Sequence, residues 1–370
     1  MLEVGDLLNE IVQTRGERAV FRCIRKTPGI SRVELCKQTE LTSAAVTQIV
    51  KRFMAAGLVR EIPAKNAIVG NIGRTRIGLA PMDTAYFSLG VVVRRHDIQV
   101  GLVEPSGKVA QAWRLVAPTI ERLASTVDDV IRAAGDIPIV AVGVGLPTFA
   151  VPWAAASDIT AMIASRFACP VYSFHNGSYA ALAEEWFMED GEPDRFFYVF
   201  IGSGIGGASV LRAGYEPPVI TCIEAGHVGI DPHGEQCFCG NRGCVELMAS
   251  PASLEAYYHI NIDLGIEGVK GLSENVKKVV GESLAYGLVS ITNVLNIHYV
   301  VLGGYSPEVL DYLYGDTLRQ TLTGYRNPFG HPLTIVTSRL GDLAGVQGAA
   351  LGAQDQIGTV IDRNAVLSYW

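Results

Sequence analysis

The sequence has few cysteines, few charged residues and no repeated or low-complexity segments. Seven cysteines in 370 residues are an odd number, which excludes a scaffold in which every thiol is paired in a disulfide. Charged residues make up only 18% and hydrophobic residues 49%, so the composition is that of a globular protein and not of a disordered one. The length predicts two or three domains with sizeable cores.

Signals for a leader or a membrane span are also missing. The first ten residues, MLEVGDLLNE, contain neither a basic region nor an apolar core, and with the odd number of thiols this predicts a cytoplasmic protein with reduced cysteines. An uncharged run at 137–157 has the length of a membrane span. Prolines 138, 147 and 152 interrupt it, so we expect a buried parallel strand followed by a loop, and no membrane segment.

Charge is distributed unevenly along the chain. Residues 1–80 contain 13 Lys and Arg against 7 Asp and Glu, a net charge of +6, whereas the remainder has 17 basic and 30 acidic residues, a net charge of −13. A basic head on an acidic body indicates that only the head meets a polyanion.

The basic head has the pattern of a helix-turn-helix. A first helical segment ends at Pro28, and Ser31 with Glu34 forms the signature of a capping box for a second helix. A third helix, SAAVTQIVKRFMAAG, ends at Gly57 and points its apolar residues inward. In a helix-turn-helix this helix enters the major groove. Its outward residues, the candidate DNA contacts, are Ser43, Ala44, Thr47, Gln48 and Lys51.

Two strands with a glycine-containing turn between them follow the third helix and predict a wing. They are read in LVREIP and RTRIGLAP, so that Arg74 and Arg76 can reach phosphates or the minor groove. A three-helix packing module with a solvated basic face is the alternative. The wing and the charge asymmetry favour DNA binding.

The acidic body contains two similar successions of strands and helices, which predict an α/β fold of two lobes. We expect a winged helix-turn-helix domain at 1–81, a first lobe at 82–195 completed by a C-terminal helix at 344–370, and a second lobe at 196–343. The second succession contains GSGIGG at Gly202–Gly207. That turn can hold a phosphate on its backbone amides or be a tight hairpin that requires positive φ.

Three cysteines crowd into CFCGNRGCVE: Cys237, Cys239 and Cys244. With His227 ahead of them they complete a tetrahedral set for a structural zinc ion. The CxxC pair of a thioredoxin-like protein is not present, which argues against redox chemistry. Chance clustering of buried thiols is the remaining alternative.

Two carboxylates flank the predicted metal ligands. Glu224 precedes His227 by three residues, and Glu246 follows Cys244 by two. Carboxylates accept hydrogen bonds from hydroxyl groups, so several that converge on one point suit a sugar. The alternative for each is a solvated loop residue.

EAGH followed by CFCGNRGCVE resembles the signature of the ROK family, which groups sugar-responsive repressors and sugar kinases. The resemblance extends to the winged helix, GVGLP, HNGSYAALAEEW, GSGIGG and LGG. It implies an actin-like, ribonuclease-H-like pair of lobes and a structural zinc held by His227, Cys237, Cys239 and Cys244. It also implies sugar hydroxyls held by Asn176 of the first lobe and by Glu224, His227 and Glu246 of the second. Such proteins form dimers or dimers of dimers that bind palindromic operators.

Two kinase features of the family are absent. The D-x-G-G-T turn that holds ATP phosphates is replaced by GVVVRRHD, with Arg94 and Arg95 where the backbone approaches phosphate. The general-base Asp expected after Asn176 is replaced by Gly177, which cannot accept a proton. We therefore expect a sugar-controlled transcriptional repressor and no enzyme. The alternatives are a residual sugar kinase and a regulator controlled by a protein partner.

Overall fold

The structure, a computed structural model, describes residues 8, 10–65, 77–94, 97–147, 153–189, 191–214, 216–325, 330–356 and 367–368. It forms two compact units. The first comprises residues 1–174, 213–218 and 346–370, and the second comprises 175–212 and 219–345.

The head of the first unit consists of three helices: α1 (Arg15–Lys26), α2 (Arg32–Thr39) and α3 (Ser43–Ala55). The capping box predicted for α2 is confirmed, since Ser31 accepts a hydrogen bond from the Glu34 N–H and the Glu34 side chain bonds back to Ser31. Thr14 and Glu17 form the same arrangement on α1, with a spacing that the sequence also displays.

Apolar residues of α1 and α3 form the core of the head. Val46, Val50 and Phe53 of α3 are fully buried, as the helical period predicts. The Phe21 and Phe53 rings meet edge to face with their centroids 5.3 Å apart. The opposite face of α3 is therefore left to solvent.

Strands β1 (Val59–Pro63) and β2 (Ile77–Pro81) follow the helices and pair antiparallel, with Val59 opposite Pro81. This pairing confirms the predicted wing strands. The wing turn, with Arg74 and Arg76, lies outside the described residues.

The rest of the first unit is built on a six-stranded sheet and its helices. The elements are β3 (Phe87–Val93), β4 (Asp97–Val103), β5 (Val109–Val116), α4 (Ile120–Ala134), β6 (Ile139–Leu146), α5 (Ala156–Ala164), β7 (Val171–His175), α13 (Ala344–Asp355) and β13 (Leu367–Ser368). The strand order is β13-β7-β6-β3-β4-β5. Strands β3, β4 and β5 form an antiparallel meander, and β6 pairs parallel to β3. The uncharged run therefore contains a buried strand, β6, as predicted, while residues 148–152 are not described.

The two faces of this sheet contact different helices because side chains alternate along a strand. Leu89, Val91 and Val93 belong to the core that α4 and α5 complete. Glycine on the other face allows α13 to approach the backbone closely. A Cβ at Gly90 would lie 2.1 Å from the Val346 carbonyl oxygen, and one at Gly143 would lie 1.9 Å from that of Ala349.

Buried ion pairs join the end of α13 to the winged helix. Asp355 accepts hydrogen bonds from Arg22 Nε at 3.1 Å and from Arg25 at 3.4 Å. All three side chains are at most 5% exposed. Since breaking a buried pair leaves an uncompensated charge, these contacts anchor α1 of the head to the lobe behind it.

The second unit is built on a five-stranded sheet and its helices. The elements in chain order are α6 (Asn176–Phe187), β8 (Arg195–Ile201), β9 (Ile205–Ala213), β10 (Glu216–Ile223), α7 (Val245–Ala249), α8 (Pro251–Tyr258), α9 (Ile266–Val269), α10 (Glu274–Leu295), β11 (Tyr299–Gly303), α11 (Pro307–Leu310), α12 (Asp316–Thr321) and β12 (Thr334–Thr337). The strand order is β10-β9-β8-β11-β12. As in the first sheet, an antiparallel hairpin (β8 with β9) adjoins a parallel strand (β11).

Helix α6 groups with this second unit, so the boundary lies at 174/175 and not at the 195 that we expected. The reason is packing. Ala180, Ala181 and Ala183 of α6 form one buried cluster with Phe196 and Tyr198 of β8. Asn176 therefore belongs to the same unit as Glu224, His227 and Glu246, and its expected place in the first lobe is not observed.

Among the residues that the structure describes, no helix combines the length and the apolar character that crossing a membrane requires.

Candidate functional site

The three clustered cysteines and His227 come together in the second unit. His227 ends a short 3₁₀ turn, Ala225–His227, and Cys244 immediately precedes α7. The connecting loop reverses at Gly240 and Gly243, whose φ angles are +92° and +56°. A Cβ at Gly243 would also lie 2.0 Å from the Asp231 carbonyl oxygen. Glycine is therefore required for the loop to close on itself.

The spacing between these ligand atoms is that of a metal site. The four atoms lie within 4.8 Å of one another. The Cys237 Sγ to His227 Nδ1 distance is 3.6 Å, and Cys239 Sγ to Cys244 Sγ is 3.8 Å. Bonds of about 2.3 Å to sulfur and about 2.0–2.1 Å to nitrogen at tetrahedral angles give edges of about 3.8 and 3.6 Å. A disulfide would need about 2.05 Å. The four residues thus form a possible metal-binding cluster.

Glu246 lies in the first turn of α7, two residues after Cys244. Its Oε2 accepts a hydrogen bond of 2.8 Å from the Ile205 N–H. The pKa of Glu246 is raised to about 7, chiefly by burial; the hydrogen bonds from Ile205 and Ser250 lower it in part, and the charge of Glu224 adds to the rise.

Glycines make room for the Glu246 carboxylate. A Cβ at Gly204 would lie 2.7 Å from Oε1, and one at Gly226 would lie 2.3 Å from Oε2. Positive φ, expected if GSGIGG were a tight hairpin, is not found at the glycines of Gly202–Gly207. Positive φ is therefore not the reason for these glycines. At Gly226 a Cβ would also lie 2.6 Å from the Ile205 carbonyl oxygen, so close approach of the backbone requires glycine there.

Asn176 is the first residue of α6 and is 4% exposed. His175 caps the helix, its Nδ1 accepting a hydrogen bond from the Gly177 N–H at 3.2 Å. Neither of the first two helix residues, Asn176 and Gly177, carries a carboxylate. The sequence did not point to His175 or Cys222 as site residues. His175 directly precedes Asn176, and Cys222 lies two residues before Glu224.

The acidic residues further along α6 are engaged elsewhere. Glu184 accepts a hydrogen bond of 2.6 Å from Ser338 Oγ, and burial raises its pKa. Glu185 is 1% exposed and lies 3.9 Å from the Arg212 guanidinium.

In the first unit, an ion-pair cluster lies next to the turn after β3, the turn for which the resemblance described above implies glycines. Arg94 Nε lies 3.0 Å from Asp97 Oδ1, and Arg114 Nε lies 2.5 Å from Oδ2 of the same carboxylate. Arg95 lies outside the described residues.

The predicted DNA-contacting residues form one exposed face of α3. Ser43, Ala44, Thr47, Gln48 and Lys51 are all exposed, opposite the buried Val46 and Val50. The N–H of Ala45 is capped by Thr42 Oγ1 at 3.3 Å. The exposed face begins at the N-terminus of α3. The side chains of Ser43 and Ala44 are short there, so DNA can approach the helix closely.

Comparison with known proteins agrees with these features. The winged helix-turn-helix DNA-binding profile matches residues 17–60. The DNA-binding transcriptional repressor Mlc of Escherichia coli K12 is 25% identical over 390 residues, covering 93% of this chain and 94% of the relative. The N-acetylglucosamine repressor of Escherichia coli O157:H7 is 28% identical over 282 residues, covering 68% of this chain and 66% of the relative.

A solved structure described as a ROK family transcriptional regulator, a homologue of the Escherichia coli Mlc protein, has the same fold. It superimposes with a TM-score of 0.69 at 24% identity and covers 92% of this chain and 96% of its own. The ROK family profile matches residues 88–356, nearly three quarters of the sequence. The chain therefore belongs to the ROK family.

Proposed function

We propose that this protein is a sequence-specific transcriptional repressor whose affinity for DNA is controlled by a sugar or sugar derivative. The proposal rests on two features that occur together in one chain. The outer face of α3 is exposed, and helix α6 of the ROK domain begins without a carboxylate. The first feature reads DNA. The second retains groups that hold hydroxyls and lacks the base that would activate one.

The sugar is held by Asn176, Glu224, His227 and Glu246, four groups that accept or donate hydrogen bonds to hydroxyls. We call the group formed by His227, Cys237, Cys239 and Cys244 the Cys3His cluster. Zinc in this cluster orients the imidazole of His227, because one ring nitrogen ligates the metal and the other is left for the sugar. The ion is structural, since four protein ligands leave no open position.

Helix α13 ends at the DNA-binding head. Its first residues, through Gly345, belong to the second unit and the remainder belongs to the first. Its last residue, Asp355, binds Arg22 and Arg25 of α1. Coupling between sugar and DNA is measured as the change in DNA affinity when sugar is added.

The protein acts in the cytoplasm as a dimer or a dimer of dimers. A two-fold protein reads a palindrome, so the operator has two related half-sites about one helical turn apart. Small changes in the separation of two recognition helices are then enough to release the DNA.

Gln48→Ala is expected to relax base specificity. Gln48 is exposed on the outer face of α3, where a glutamine can bind a base edge with both its amide atoms. We expect a loss of about 1–3 kcal/mol at one base position, with other positions unaffected. The measurement is competition binding on operator variants that differ by one base pair.

Lys51→Ala is the matched control for Gln48→Ala. Removing a lysine that contacts a phosphate weakens binding to all DNA sequences alike. It also lowers the slope of log affinity against log salt concentration by about 1. Equal losses on every operator variant in Gln48→Ala would contradict a base-reading role for that residue.

The main alternative is a sugar kinase, since the family includes such enzymes. Glu184 and Glu185, the acidic residues of α6, are engaged with Ser338 and Arg212, and Arg94 pairs with Asp97 at the phosphate turn. Both arrangements argue against phosphoryl transfer. The purified protein is incubated with magnesium and ATP, with and without a sugar, and the ADP released is measured. ADP release that depends on the sugar would favour the kinase instead. Control by a protein partner is the other alternative, and sugar-independent capture of that partner would favour it.

A further inference from the structure

Three potential metal ligands converge at a second place in the second unit. His175 is the last residue of β7, Cys222 lies near the end of β10, and Glu224 follows that strand directly. One ligand atom from each lies within 4.8 Å of the others. The Cys222 Sγ lies 3.2 Å from His175 Nδ1. Because Nδ1 already accepts a hydrogen bond from the Gly177 N–H, Nε2 is the ring nitrogen that remains for a metal.

The local structure holds these side chains on one side. Cys222 and Glu224 are two residues apart, so an extended backbone points both side chains the same way. Nδ1 of the imidazole accepts a hydrogen bond from the Gly177 N–H, and two glycines lie close to the ring. A Cβ at Gly177 would lie 3.2 Å from Nδ1, and one at Gly206 would lie 3.3 Å from Cε1. A larger residue at either position would press on the ring.

The cluster is open to solvent, unlike the Cys3His cluster. Cys222 and Glu224 are exposed and His175 is half-buried. Three protein ligands with an accessible fourth position are the arrangement of zinc sites that exchange an outside ligand. Thiolate and imidazole favour zinc and similar metals, and disfavour magnesium and calcium.

We propose that His175, Cys222 and Glu224 form a second, open site for a thiophilic divalent metal such as Zn²⁺. The proposal also deepens the function proposed above, and this part rests on it, because Glu224 then serves both the metal and the sugar. A carboxylate whose lone pairs bind a metal accepts sugar hydroxyls less well. Metal therefore weakens sugar binding, and by linkage the sugar weakens metal binding by the same factor.

Cobalt(II) is the probe for this site. Protein that already contains one zinc per chain is titrated with Co²⁺, followed by absorbance and by elemental analysis of the dialysed product. We expect one further equivalent, with the sulfur-to-cobalt charge-transfer band of a thiolate ligand and no loss of the resident zinc. Saturation without a second equivalent, or a second equivalent without that band, would overturn the site.

Variants locate the second equivalent. Cys222→Ser should remove the charge-transfer band, and His175→Gln should weaken cobalt binding by about 10–100-fold or more, since even outer partners of a ligand have effects of that size. Glu224→Gln should weaken cobalt binding and retain the band. Cys36→Ser, in α2, is the matched control and should change nothing. A band that persists in Cys222→Ser with an unchanged melting temperature would refute the assignment.

The titration contains neither sugar nor DNA, so its failure would overturn the metal site and leave the proposed regulation standing. Sugar affinity is then measured with and without saturating Co²⁺. We expect weaker sugar binding in its presence. An unchanged sugar affinity would overturn the shared use of Glu224, and a sugar that fails to bind at all would count against the proposed function and not against the metal site.

Discussion

Cys239→Ser is expected to release the metal from the Cys3His cluster and to cause the largest loss of stability among the substitutions considered. Cys239 is exposed, so serine leaves no cavity and any large effect must arise through the metal. A ligand present at a thousand times its Kd stabilises the folded state by about 4 kcal/mol, and a structural zinc is commonly bound more tightly than that. We expect a loss of about 4 kcal/mol or more.

The measurement pairs zinc content per chain with the free energy of unfolding in urea. Wild type purified without added metal should contain about one zinc per chain, and Cys239→Ser close to none. Cys36→Ser, a cysteine of α2 far along the chain from the cluster, should keep its metal. A Cys239→Ser protein with full zinc content and wild-type stability would show that the cluster is not a metal site.

Glu224→Gln is expected to shift the response to much higher sugar concentrations and to leave DNA binding intact. The substitution keeps the shape of the side chain and removes the charge that accepts hydroxyl hydrogen bonds. A hydrogen bond to a charged group contributes about 1.5–3 kcal/mol, so sugar affinity should fall by about 10–100-fold. Because α3 and the Cys3His cluster do not include Glu224, DNA affinity and zinc content should stay near those of the wild type.

Glu235→Gln is the control for this second result. Glu235 is a loop residue near the cysteines whose carboxylate accepts a hydrogen bond from Tyr257 at 2.8 Å. It should answer sugar as the wild type does. A Glu224→Gln protein with an unchanged dose dependence would remove the basis for the proposed sugar site.

The local features of this fold are readable from the sequence because their causes are local. The capping box at Ser31 and Glu34 needs residues three apart, and the buried face of α3 follows from the helical period. The four residues of the possible metal-binding cluster lie between His227 and Cys244, so the turns of one loop bring them together.

Features that depend on distant packing are not readable in the same way. Helix α6 groups with the second unit because its alanines pack against β8. The pattern of apolar residues in β8 does not show which helix will pack on it. The approach of His175 to Cys222 joins residues 47 positions apart, and only the order of the strands brings them together. The need for glycine at Gly226 comes from the carbonyl oxygen of Ile205 in strand β9, and the periodicity of the sequence does not predict it.

The most direct test of the account is whether a sugar changes the affinity of this protein for its own DNA sequence. Duplexes are first selected from a random library on the purified protein, and the selected sequence is labelled for fluorescence anisotropy. Titration with a panel of sugars and sugar phosphates should show one chemical class that weakens binding of the wild type to DNA by about 5–150-fold, the usual range of coupling between two sites. Glu224→Gln should need about 10–100 times more of that sugar for the same effect. A palindromic sequence bound with the same affinity in the presence of every sugar, by a protein that consumes ATP when sugar is added, would contradict the account.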